Sequence, residues 1–361
     1  MTIYIILLCY LLLTDAISSL IPEKRRRFFQ AIVGGFGLWI VLSLRSVYCG
    51  VDLVQGGQGD RNYLWMFENA QTRSFSELLF GYTDRIEPGW MILCKLLSYI
   101  SDNFIIFLSL IAAIQIFLIG FVLKKTSKDI LFSYIVYFCF GMYAFSFSGL
   151  RQATSIAITF YASYHLMRGK LSLFVLLVIV AATMHISALL FFIAIVFNRI
   201  RYNNRNALTI IIIVLLLTPF LGWLTVSLSS IIFSGRYDVN AILDSGGAYT
   251  MFAVYGLLVL LGFRFKDNHE NGFMRYMIVM AFAIQSLGIV SSAHLTRIGY
   301  FFQMFFLLYF PVFLESYINK RARKFIMFIG SVFFLVFFYL TTKNSPLNVI
   351  PYSFLWQIPY N

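Results

Sequence analysis

The chain predicts an all-α, polytopic membrane fold of about twelve transmembrane helices, each of roughly 20 residues. Three observations carry this expectation. Of 361 residues, 60% are hydrophobic and only 12% charged, against about 45–50% and about 25% in soluble domains. Mean hydropathy is +0.82, and apolar runs of near-spanning length recur along the chain. Lys and Arg stand in short clusters between those runs, which is the positive-inside pattern. The net charge of +13 therefore reports topology, and nucleic acid is excluded as a partner.

Met1 to Leu20 lacks a basic leader and a small-residue cleavage site, which predicts a retained first helix, 2–20. Glu23-Lys24-Arg25-Arg26-Arg27 is the densest basic cluster and assigns this end to the cytoplasm. A second helix, 28–44, returns the chain to the outer face at Arg45. Segment 46–86 is long and polar, and its aromatics Tyr63, Trp65, Phe67, Phe75 and Phe80 predict a folded extracytoplasmic cap. Glu87-Pro88-Gly89 opens an apolar run to Ile100 that is too short to span, predicting an interfacial or re-entrant helix with Pro88 in its first turn. Residues 46–101 thus form the cap of a single membrane domain, 1–361.

Helices are expected at 103–123, 130–147 and 152–167. Leu171 to Asn198 lies between basic clusters of one side. Two passes leave about 14 residues each, or about 21 Å of helix against a core of about 30 Å, so two half-length helices should meet at Met184-His185. A single tilted helix competes, but it would place cations on both sides. Non-helical backbone at that depth is tolerated where it lines a cavity. Further helices are expected at 207–231, 249–263, 273–291, 298–317 and 325–340, with an outer loop at 233–247. This topology puts 19 of the 28 Lys and Arg residues on the inner side.

The same topology gathers Arg45, Asp52, Asp60, Arg61, Arg85, Glu87, Arg151, His185, Arg236, His294 and Arg297 on the outer face. Arg151 is the most costly of them, a cation at membrane depth with no acid nearby in sequence, and such a residue usually faces a cavity or partner. Arg151, His185 and Arg297 fall at or just before expected helix starts, where free N–H groups and the helix dipole favour anions. Ser148, Ser187 and Thr296 add hydroxyl donors. Together they predict a phosphate-binding cavity. His165 and His269 fall towards the cytoplasmic side and read as structural or solvated. No paired cysteine spacing and no histidine metal spacing is present, and Gly56-Gly57-Gln58-Gly59 lacks the Lys-Ser/Thr of a phosphate loop. No metal or cofactor is expected.

Short motifs add a family resemblance. Arg45 is followed by Gly50-Val51-Asp52 and Gly59-Asp60-Arg61-Asn62-Tyr63. Then come Glu87-Pro88-Gly89-Trp90, Leu150-Arg151-Gln152-Ala153, Met184-His185-Ile186-Ser187-Ala188, Gly235-Arg236-Tyr237, Arg297-Ile298-Gly299-Tyr300 and the tail Val349-Ile350-Pro351-Tyr352. In order and spacing the chain resembles the EpsG-like branch of the Wzy-type polysaccharide polymerases, which join lipid-linked repeat units of O-antigen, capsule or exopolysaccharide. Two features depart from the family pattern. Asp52 and Asp60 both offer themselves for its single Gly-x-Asp, and Met184 stands where Phe is common.

The resemblance implies a GT-C-like helical fold around an outward-facing cavity in the bacterial cytoplasmic membrane. It implies a donor and an acceptor that are both undecaprenyl-pyrophosphate-linked glycans, inverting transfer without metal or nucleotide sugar, and a chain-length regulator and flippase as partners alongside membrane lipids. Arg151, Arg297, Arg236, Arg45, Gln152, Tyr63 and His294 would bind pyrophosphate or glycan. His185 would serve as general base, with Asp60 and Glu87 as rivals. Tyr63, Trp65 and Trp90 could stack on sugars. A ligase using another acceptor and a non-enzymatic flippase are the competing functions.

Overall fold

The computed structural model describes residues 1–54, 62–81, 86–232, 248–263, 269–290 and 293–357. Among them the chain is helical without a strand, apart from an isolated bridge between Arg45 and Phe354. It forms two compact units, one of residues 1–190 with 310–361, the other of residues 191–309.

In the first unit α1 (Thr2–Ser18) leads to α2 (Glu23–Ser43). α2 starts five residues before the expected 28, because Pro22 at the N-cap and Glu23 in the first turn favour initiation and draw the basic cluster into the helix. The cap holds α3 (Tyr63–Thr72), a π turn (Glu77–Gly81) and α4 (Pro88–Ser98), with Pro88 in the first turn as expected. Its core joins Tyr63, Phe67, Leu78, Trp90 and Met91 to Phe104, Phe107 and Ile111 of α5 (Phe104–Thr126). The Phe67 and Phe107 rings stack at 4.4 Å. Each such burial contributes about 1.5–3 kcal/mol, so the cap is seated on α5. Lys95 of α4 ties back to α3 by donating to the Ala70 and Gln71 carbonyls, both at 3.3 Å.

The expected helix 130–147 is broken. α6 (Ile130–Cys139) ends ahead of Gly141, whose φ of +83° suits glycine, and α7 (Met142–Phe145) is one short turn. α8 (Leu150–Met167) and α9 (Leu171–Met184) follow. At His185 the backbone turns extended, and a 3-10 turn (Ile186–Phe192) begins, so the break falls where expected.

The second unit contains α10 (Ile193–Arg199), α11 (Asn204–Ile232), α12 (Ala248–Gly262), α13 (His269–Val290) and α14 (Ala293–Gln303). α15 (Phe306–Tyr317) follows α14 after a two-residue break, so the expected single helix 298–317 is two pieces and starts earlier, at Ala293. α16 (Lys320–Thr342) completes the first unit. Among the described residues Phe104–Thr126 and Ala322–Thr342 are long and apolar enough to cross a membrane, and the α14–α15 pair would be a third as one broken span. Thr2–Ser18, Leu171–Met184 and other apolar helices are shorter. The chain is a helical membrane protein, and among the described residues several of its apolar helices are short or broken.

Candidate active site

Three distant segments of the first unit converge on one carboxylate. Glu87 precedes Pro88 at the start of α4, Arg151 is the second residue of α8, and His185 follows the last residue of α9. Arg151 Nη1 donates to Glu87 Oε2 at 2.5 Å. His185 Nδ1 lies 2.9 Å from Glu87 Oε1, which also accepts the Ile186 N–H at 3.1 Å. The side chains are 23%, 14% and 26% exposed for Arg151, Glu87 and His185. The cluster is therefore largely withdrawn from solvent yet reachable.

Local sequence explains the convergence. α8 begins without a side-chain cap, at Gly149, and the Arg151 N–H is instead donated to the Tyr63 hydroxyl at 3.2 Å. α8 and α9 are tied by Ser155 Oγ donating to the Ala181 carbonyl at 2.9 Å. α4 approaches the end of α9 through Gly89: a Cβ there would stand 2.2 Å from Thr183 Oγ1. Only glycine allows that approach, and it sets Glu87 against His185.

Burial alone would raise the Glu87 pKa. The His185 hydrogen bond, the Arg151 charge and the Ile186 N–H outweigh burial and hold it at about 2. Glu87 is thus ionised at neutral pH, and a carboxylate can only accept. Nδ1 of His185 must carry the proton facing it, which turns Nε2 away from Glu87. Glu87, expected as a rival base, already accepts from His185 and the Ile186 N–H on Oε1 and from Arg151 on Oε2. It orients His185 and anchors Arg151. Arg151 Nε and Ser187 Oγ are buried without a hydrogen-bond partner among the described residues, donors suited to an anionic ligand.

Other expected site residues are placed differently. Tyr63 is 6% exposed and Trp90 is fully buried, with their rings 5.6 Å apart, so both support the cluster from the cap core rather than offer a face to sugars. Gln152 is buried beside Arg151 in α8. Arg45 is 1% exposed, and its Nη1 donates to the Leu42 carbonyl at 2.7 Å while the guanidinium lies over the Phe147 ring at 5.0 Å. It is a packing cation, and the structure does not bring it to Glu87. Arg297 stands in the second turn of α14, past the helix start, because α14 begins at Ala293. Asp60, Arg61, Arg85 and Arg236 lie outside the described residues, as does the side chain of His294.

Asp52 is the residue that the sequence left undecided. Its Oδ2 accepts from Ser148 Oγ at 2.9 Å, and its carbonyl accepts the Tyr63 N–H at 3.0 Å. It therefore stands beside the start of α8, and the Gly50-Val51-Asp52 triplet was its signal.

The EpsG family model matches residues 36–354, a span that includes every residue of this cluster. No curated protein and no solved structure matches the chain.

Proposed function

The chain belongs to the EpsG family, and from that premise we propose that it is a polysaccharide polymerase. It joins undecaprenyl-pyrophosphate-linked oligosaccharide units at the outer face of the bacterial cytoplasmic membrane. The supporting observation is the carboxylate of Glu87 bridging a cation and an imidazole at 2.5 Å and 2.9 Å.

In the proposed reaction an acceptor hydroxyl oxygen attacks the anomeric carbon of the donor chain's reducing-end sugar. The bond from that carbon to the pyrophosphate oxygen breaks with inversion. The departing lipid pyrophosphate keeps the electron pair. His185 Nε2 takes the hydroxyl proton, as a general base must within hydrogen-bond reach. Arg151, at the positive end of α8, stabilises the charge that develops on the leaving group. Glu87 fixes both, so that neither has to reorganise as charge moves.

The test is reconstitution of the purified full-length protein in vesicles with a synthetic lipid-linked repeat unit. A ladder of oligomers with release of the lipid pyrophosphate is expected, and His185→Ala should slow its formation by roughly 10²–10⁴-fold. Transfer to a different acceptor without a ladder would establish a ligase instead. Movement of the unit across the vesicle membrane without bond formation would establish a flippase.

A further inference from the structure

The second unit contains a cleft that the proposed reaction does not use. It has a volume of about 590 Å³ and is lined by Arg201, Tyr202, Asn203, Asn204, Asn206, Phe263 and Arg275. None of these described lining residues is acidic. Arg275 is 4% exposed, and its position is fixed from two sides. Its Nη2 donates to Asn204 Oδ1 at 2.8 Å, and its guanidinium lies 3.6 Å from the centre of the Tyr202 ring. Tyr202 is held in turn, since a Cβ at Gly272 of α13 would stand 2.9 Å from its Cβ. Arg201 is exposed, and its carbonyl accepts from the Tyr276 hydroxyl at 3.2 Å. Asn204 and Asn206 belong to the first turn of α11, a helix long enough to present a full dipole.

We infer that this cleft is a binding site for a phosphate-bearing anion, distinct from the Glu87 cluster. A guanidinium held in one orientation, a second, exposed one, the side-chain amides of Asn203 and Asn206 and the positive end of a helix form a donor set matched to phosphate oxygens. The basic residues around it belong to the side that the positive-inside pattern assigns to the cytoplasm. Two sources supply the same chemistry there: the headgroup of an anionic lipid of the inner leaflet, or a soluble phosphate ester.

The test uses purified full-length protein and two variants that spare the fold. Arg201→Ala removes an exposed cation. Asn206→Asp puts a negative charge into the cleft at a helix position where an acid is otherwise favourable. Arg199→Ala, outside the cleft, is the control. Binding of inorganic phosphate is measured by calorimetry in detergent, and retention of phosphatidylglycerol over phosphatidylcholine by mass spectrometry of protein released from mixed-lipid nanodiscs. Each cleft variant is expected to weaken one of these at least fivefold while Arg199→Ala does not. Loss of phosphate binding identifies a soluble source, and loss of phosphatidylglycerol retention a headgroup. If both variants keep parental phosphate affinity and parental lipid selectivity, the cleft is not an anion site.

Discussion

Arg45 and Arg151 stand near helix ends in the same unit, and sequence puts both forward as substrate ligands, yet the structure uses them in opposite ways. Arg151 is paired with an acid and keeps 23% of its side chain exposed. Arg45 is sealed at 1% exposure, with a carbonyl and the Phe147 ring as its contacts. Around Arg45 the chain ends are pinned. Tyr4 donates to the Val349 carbonyl at 2.8 Å, the Ser46 N–H to the Ser353 carbonyl at 2.8 Å, and Tyr352 to the Val41 carbonyl at 2.9 Å. One arginine joins an acid and an imidazole, and the other is buried where hydrogen bonds of neighbouring residues tie the first helix, the end of α2 and the C-terminal tail together. A cation near a helix end is thus a reason to look for an acid and an imidazole, and its neighbours decide its role.

The comparison can be broken most directly at the reactive pole. His185→Ala should lower the rate of polymer formation by roughly 10²–10⁴-fold with the protein still folded, the range for loss of a general base. Arg151→Ala should lower it by roughly 10²–10³-fold, as for removal of a donor to developing charge. Rates measured at matched protein concentration, with folding checked by size-exclusion chromatography, would settle both. Gly89→Ala should push α4 from Thr183 and misplace Glu87, lowering the rate by roughly 10–100-fold with a small loss of stability.

At the structural pole the signs reverse. Arg45→Ala should lower thermal stability in detergent by roughly 3 kcal/mol, through an empty space and a lost cation–aromatic contact. The rate per folded molecule should stay within about twofold. A rate collapse in folded Arg45→Ala would erase the distinction between the two arginines.

The smallest effect is a pH limb. The Glu87 pKa is depressed to about 2, so its stabilising contribution is complete above its ordinary range near 4.3 and is lost as pH falls from there towards about 2. Acid titration of unfolding should be shallower over that window in Glu87→Gln than in the parent protein.

Much of this architecture was legible in the sequence because it follows from lengths. The break at His185 was expected from the short span between two basic clusters, and the short α4 from a run that cannot span. The breaks at Gly141 and after Gln303 were not legible, because the apolar runs continue through them. Only the positive φ of Gly141, a property of the folded backbone, marks the first. The members of the site were visible one by one, since Glu87, Arg151 and His185 are polar residues in an apolar chain. Their union was not, because it depends on tertiary approach through Gly89 and on the Arg151 N–H of α8 donating to the Tyr63 hydroxyl. The low basicity of Glu87 has the same origin, being set by neighbours 64 and 98 positions away in the sequence.

The central claim is that Glu87 and His185 act as one unit, and a double-mutant cycle on the reconstituted polymerisation rate tests it most directly. Glu87→Gln, His185→Ala and the double variant are compared with the parent protein. If Glu87 works through His185, the double variant is no slower than His185→Ala alone. If the two losses multiply, the residues act independently and the account of the site is wrong.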